Sequence, residues 1–158
     1  MNKVPMTVIG YKNLQNELNK LINKERPEII TAITEARSHG DLSENAEYQY
    51  AKEQQSLIEG KILELENTIA QAEIIDISKL SGKEIVFGAT VRIKDNATGE
   101  QSTYQIVGEY ESDIENKKIS INSPMARGLI GKFKNDVVEI NSPKGIKFYT
   151  VVSVKFQL

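Results

Sequence analysis

Apolar residues recur along this chain with two different spacings, one in each half. From Tyr11 through Leu14, Leu18 and Leu21 the intervals alternate between three and four, which lines one stripe of a helix and matches a coiled-coil seam. The stripe then drifts to Ile22, Ile29, Ile33 and Ala36, and Pro27 lies at the drift. An interior proline removes one backbone hydrogen bond and crowds the preceding turn. The sequence therefore predicts a bend or break near Glu25–Arg26, or one helix ending there and another starting at Pro27. A second stripe runs through Ala51, Gln54, Ile58, Ile62, Leu65, Ile69 and Ala72. Its step from Ile58 to Ile62 adds a four-residue interval, a stutter that locally unwinds a supercoil.

Between the stripes lies Ser38-His39-Gly40-Asp41. Gly40 suits the left-handed conformation that ends a helix. Asp41 is placed to N-cap the next helix, with Glu44 reaching back as a capping box. So short a connection forces two helices antiparallel. Each arm of roughly 30 residues would reach about 45 Å. Small residues at Ala36, Ala46 and Ala51, with Tyr48 and Tyr50 nearby, predict a slender tip.

Beyond Ser81-Gly82 the spacing shortens to two. Strands are expected at Thr90–Lys94 and, beyond a turn at Asp95–Gly99, at Thr103–Val107, then at Lys118–Ile121, Val137–Ile140 and Phe148–Phe156. Ser123 as N-cap and Pro124 at the first helical position start a short helix carrying Met125, Ala126, Leu129 and Ile130. The expected class is α+β, with an antiparallel helical coiled-coil hairpin over 1–76 and a compact β-rich domain over 77–158, a small mixed sheet with one helix against it.

Composition narrows the chemistry. The 158 residues carry no cysteine, so disulfides, thiol catalysis and cysteine-based zinc sites are excluded. No stretch reads as a membrane span or signal peptide, so the expected location is the cytoplasm and no membrane partner is expected. A net charge of −2 argues against a generic nucleic-acid binder. Residues 1–75 hold eight Lys/Arg and twelve Asp/Glu, whereas 76–158 hold twelve and ten. His39 is the single histidine, which excludes histidine triads and multi-histidine metal sites. Beside a turn it reads as a group at a helix C-terminus, favourable to the dipole.

Asp41 and Glu44 have two readings. Helix capping explains their types and spacing. They also suit a hard divalent cation, since Mg²⁺ takes one or two protein carboxylates and completes its shell with water and phosphate. Two carboxylates on a free tip make an incomplete site, one that works only when inserted into a molecule supplying the remaining ligands.

The string GDLSENAEY, preceded by AR and followed by AKEQQ, resembles the tip signature of the bacterial Gre family of transcript-cleavage factors. The resemblance covers nearly the whole chain. It includes PMTVIGYKNLQNEL and RPEIITAITEAR before the tip, and FGATVRI, ISINSPMARGLIGK, DVVEI and SPKGIKFYTV after it. It implies a hairpin that enters the secondary channel of bacterial RNA polymerase and an FKBP-like domain that docks at the channel mouth. Asp41 and Glu44 would there be catalytic, sharing a Mg²⁺ with the polymerase rather than binding it alone. The outcome would be cleavage of backtracked nascent RNA at its 3′ end.

By the same resemblance Leu42, Ser43 and Asn45 touch polymerase or RNA. Arg37 and Lys52 match basic positions flanking the tip, suited to RNA phosphates. The family often has arginine at Lys52, so bidentate contact is lost there and point-charge attraction kept. Ser123, Pro124, Arg127 and Lys132 match the docking motif, while Gly128 and Asn135 depart from the usual alanine and glycine. The implied protein is not itself an enzyme but a cofactor of the polymerase, expected to be monomeric. Three rivals remain: a prolyl isomerase suggested by the FKBP-like half, a channel regulator without cleavage, and a coiled-coil chaperone. For the isomerase, spacing alone does not assemble a pocket from Tyr104, Tyr110, Phe133, Phe148 and Tyr149.

Overall fold

A computed structural model describes residues 3–40 and 45–157. The chain divides into two compact units, one of residues 11–72 and one of residues 3–10 with 73–158. The N-terminal unit is a helical hairpin. Its first arm joins α1 (Val8–Lys20) to α2 (Arg26–Arg37) through a π-helical segment at Leu21–Glu25. Its second arm is α3 (Ala46–Ala70).

Neither a break nor a new start occurs at Pro27. Lys20, Glu25 and Arg26 all keep right-handed helical dihedrals, and the Arg26 N–H donates to the Leu21 carbonyl five residues back. Pro27 has no N–H to give, and widening the turn before it absorbs that loss inside a continuous helix. A π turn also inserts one residue into the helical register. This is the physical origin of the drift from Leu21 to Ile22 and Ile29.

Leu14, Leu21 and Ala36 on the first arm are buried, as are Ala51, Ile62, Leu65 and Thr68 on the second. Thr68 takes a seam position by donating its hydroxyl to the Glu64 carbonyl, which satisfies the buried group. The seam does not consume every apolar side chain, since Ile30, Leu57 and Leu63 stay largely exposed. The arms are tied by a fork from Arg26 Nε and Nη2 to the two Glu59 carboxylate oxygens, each at 2.9 Å, and by Lys61 to Glu17 at 3.1 Å.

In the C-terminal unit, β3 (Thr90–Asp95), β4 (Gln101–Val107), β5 (Lys118–Ser120), β6 (Val137–Ser142) and β7 (Gly145–Lys155) form one sheet in the order β5-β4-β3-β7-β6. Only β4–β5 is parallel, so the sheet is mixed as the sequence predicts. Alternation along the strands sends Val91, Ile93, Ile106, Val138, Ile140 and Val151 to one face, where Ala126 and Leu129 of α4 (Pro124–Leu129) complete the core. The irregular stretch before β3 joins that core through Ile85 and Ala89, both fully buried.

A second sheet of β1 (Val4–Thr7) and β2 (Ala72–Ile75) is an element the sequence reading assigned to helix. Thr7 closes β1 and caps α1, its hydroxyl accepting from the Gly10 N–H at 3.0 Å. Glu111 fastens this corner. One carboxylate oxygen accepts from the Thr7 N–H at 3.0 Å and the Gly108 N–H at 3.1 Å, and the other accepts from the Thr7 hydroxyl.

Candidate functional site

The hairpin turn is built by matching two helix ends. The first arm finishes with Ser38 N–H on the Glu35 carbonyl and His39 N–H on the Ala36 carbonyl. Gly40 follows at φ +118°, the left-handed conformation its position anticipates. The second arm starts at Ala46, and its N-cap is Asn45, not Asp41. Asn45 has extended dihedrals and its side-chain oxygen accepts from the Tyr48 N–H at 3.1 Å. Its side-chain amide donates back to the Ala36 carbonyl. An aspartate could supply only the first of these bonds, because a carboxylate donates nothing.

Asp41, Leu42, Ser43 and Glu44 lie outside the described residues. Of the other tip positions, Asn45 is half-buried in its capping role, while Arg37 and Lys52 are exposed. Arg37 ends α2 with no side-chain partner among the described residues, so its charge is open to solvent. Lys52 donates to the Gln55 side chain at 3.2 Å. His39 Nδ1 lies 3.3 Å from a Glu47 carboxylate oxygen, a contact across the turn between two exposed side chains. Tyr48 is half-buried and Tyr50 exposed, while Ala36 and Ala51 are buried, so the end of the seam is formed by small residues.

Above the tip, Arg26 is held further toward its charged form by the hydrogen bond and charge of Glu59, with Glu66 adding to the field. Among the described residues no group of three acidic or histidine side chains could hold a metal.

The second candidate surface is in the C-terminal unit. Ser123 caps α4 by accepting from the Ala126 N–H at 3.2 Å, and Pro124 occupies the first turn, both as the sequence predicts. Together with Met125 they form one wall of a pocket of about 330 Å³. Tyr104, Tyr149, Ile114, Ile119 and Ile140 supply its apolar surface, and Lys144 and Lys147 stand at its polar edge. The sequence could not assemble this pocket, because β4, β6 and β7 meet only through the sheet order. Of the aromatic residues considered for such a pocket, Tyr104 and Tyr149 line it, while Tyr110, Phe133 and Phe148 are exposed and do not.

Arg127 and Lys132 do not line the pocket. Arg127 is exposed on α4. Lys132 contributes its backbone, accepting at its carbonyl from the Ile85 N–H at 2.8 Å. Gly128 permits α4 to approach β6, since a Cβ there would lie 2.3 Å from Ile140 Cδ1. Asn135 adopts φ +76°, so the position is left-handed and asparagine tolerates what glycine would adopt freely.

Two family models match the chain. One described as "Transcription elongation factor, N-terminal" matches residues 4–74, and one described as "Transcription elongation factor, GreA/GreB, C-term" matches residues 80–156. A protein of Caulobacter vibrioides named transcription elongation factor GreA is 54% identical over 156 residues, covering 99% of each chain. A protein of the same name from Chelativorans sp. strain BNC1 is 57% identical over the same span and coverage. Among solved structures, GreA factor homolog 1 of Thermus thermophilus is 28% identical with TM-score 0.45, covering 98% of this chain and 99% of that one.

Proposed function

The chain belongs to the GreA/GreB family of transcription elongation factors, and from that membership we propose that it acts on bacterial RNA polymerase in the cytoplasm. The hairpin tip enters the polymerase secondary channel and stimulates cleavage of backtracked RNA near its 3′ end. The protein has no nuclease activity alone, because one carboxylate pair cannot complete a two-metal site. The observation that carries the reading is the tip string with carboxylates at Asp41 and Glu44, set between two long helices whose seam ends in alanines.

Asp41 and Glu44 are hard oxygen donors of the type Mg²⁺ takes in ones and twos, and a Mg²⁺ shared with the polymerase would neutralise charge developing on the scissile phosphate. Asn45 ties together the two helix ends between which the carboxylates lie in sequence. Arg37 and Lys52 attract phosphates of the extruded RNA. Leu42 and Ser43 contact the channel or the RNA. Ser123 and Pro124, with the apolar pocket behind them, form the polymerase-docking surface, and Arg127 and Lys132 provide charge around it. The free protein binds no metal tightly and is monomeric.

The test uses bacterial RNA polymerase halted in a backtracked complex with labelled RNA and Mg²⁺. Shortening of the RNA with the native chain, lost in Asp41→Ala and Glu44→Ala variants that still compete for binding, supports the reading. Undiminished cleavage in both variants assigns the carboxylates to the turn alone. Binding without cleavage by the native chain makes it a channel regulator.

A further inference from the structure

The five-stranded sheet has its core on one face and leaves most of the other open. Strand register places Arg92 and Lys94 of β3, Lys118 of β5 and Lys155 of β7 on that open face. Glu139 of β6 is the one acidic residue the register puts among them. Arg92, Lys94 and Lys155 are exposed and Lys118 is half-buried.

Their charge is not used within the fold. No ion pair to a described residue involves any of the four, and Arg92 Nε donates only to the neutral Gln101 side chain, at 2.7 Å. The acids of this half cluster elsewhere in sequence, with Glu109, Glu111, Asp113 and Glu115 all on the β4–β5 connection. Four unneutralised cations on one sheet face make a local positive field that the overall net charge conceals.

The face also offers neutral polar groups and one aromatic ring. A hollow of about 200 Å³ is lined by Thr90, Thr103, Gln105, Asn116, Lys117 and Gln157, hydroxyls, amides and one ammonium. Phe148 stands on the same face, about half exposed at 50%. Cations for phosphate, hydroxyls and amides for sugar oxygens, and a ring for base stacking are the set that single-stranded nucleic acid requires.

We propose that this open sheet face is a binding surface for single-stranded RNA, separate from the hairpin tip and independent of any metal there. The open sheet face presents no helix to a duplex groove, which favours a single strand over double-stranded DNA. An acidic protein would be satisfied by the cations alone and would leave the polar hollow and Phe148 without a role.

Fluorescence anisotropy of the full chain with a labelled single-stranded RNA of about 12 nucleotides tests this across a salt series. Binding in the range of about 1–100 μM is expected, weakening as salt rises. The Arg92→Gln/Lys94→Gln/Lys155→Gln variant, shown folded by circular dichroism, should bind about tenfold or more weaker, with the logarithmic salt slope reduced by about 2. Phe148→Leu should weaken binding several-fold and leave the salt slope unchanged. An Asp41→Ala/Glu44→Ala variant should bind as the native chain does, which separates failure here from failure of the tip reading. Absence of binding at low salt, or equal binding by the triple variant, overturns the proposal. Displacement of the RNA by a polyglutamate peptide at matched charge also overturns it, in favour of an acidic protein partner.

Discussion

The Asn45 side-chain amide donates to the Ala36 carbonyl nine residues earlier, while its oxygen accepts from the Tyr48 N–H. One side chain thus gives the Ala36 carbonyl, which already accepts from the His39 N–H, a further donor from the opposite arm, and satisfies an open N–H at the start of α3. Asn45→Asp keeps the acceptor, loses the donor and sets a carboxylate against a carbonyl. Asn45→Ser keeps only the cap. We expect Asn45→Ala to cost about 1 kcal/mol, with Asn45→Ser milder. Urea unfolding reads the cost, and amide exchange at Tyr48 to Ala51 should quicken first. If Asn45→Asp matched the native chain in both, the bond to Ala36 would carry no stability.

The fork between Arg26 and Glu59 joins the arms beside the π segment, with side chains 35% and 47% exposed. Solvent screens a pair this open, so we expect a double-mutant cycle with alanine at both positions to give only a small favourable coupling. It should shrink as salt rises. Arg26→Lys should lose most of it, because an ammonium cannot reproduce the two parallel bonds.

The sequence made the strands legible where alternation is strict. Thr90–Asp95 and Val137–Ser142 bury every second residue, and the Ser123-Pro124 start carries its own cap. It did not reveal β1, because Val4–Thr7 is four residues long and its partner, β2, begins 65 residues after β1 ends. Nor did it reveal the π segment, since Leu21–Glu25 has no composition that distinguishes a five-residue turn from a four-residue one. At the tip the sequence predicts Asp41 as the cap, whereas α3 takes Asn45. Asn45 adds to its cap a donor to the Ala36 carbonyl of the opposite arm, a contact that local spacing does not reveal.

Gly10 and Glu111 form a second close pairing, remote in sequence. A Cβ at Gly10 would stand 2.2 Å from the Glu111 carboxyl carbon. Glu111 cannot swing away without releasing Thr7 and Gly108. Alanine in a helix normally gains about 1 kcal/mol over glycine, but overpacking and lost hydrogen bonds here oppose it. Gly10→Ala should therefore destabilise by about 1–2 kcal/mol in thermal or urea unfolding. In a Glu111→Ala background the same substitution should become neutral or stabilising.

Asp76 gives the fold a small acid dependence. It caps the turn at Ile77–Lys79, accepting from the Ser78 hydroxyl at 2.6 Å and the Ser78 N–H at 3.0 Å. The Ser78 hydroxyl, then its N–H, and the charge of Lys79 hold the carboxyl below its ordinary range. A carboxyl depressed in the folded state stabilises above its unfolded pKa of about 3.9 and loses that contribution as pH falls through the folded value. Asp76→Asn should lower the melting temperature at neutral pH. The gap from the native chain should close as pH drops below about 4.

Gly128 tests how closely α4 and β6 are fitted. A Cβ at this position would meet Ile140 Cδ1 at 2.3 Å and Val138 Cγ1 at 3.3 Å, both on buried side chains. Gly128→Ala gains about 1 kcal/mol of helix propensity. It must displace the end of Ile140, an overpacking cost of about 1–3 kcal/mol. The two nearly cancel, so the single substitution should be neutral to mildly destabilising. Ile140→Val removes the obstructing methyl at a cost of about 0.5–1.5 kcal/mol. In that background Gly128→Ala should turn stabilising, because the alanine methyl fills the space that Cδ1 vacated. Additive effects in the double variant would mean that Ile140 relaxes freely and that the close approach of α4 does not depend on glycine.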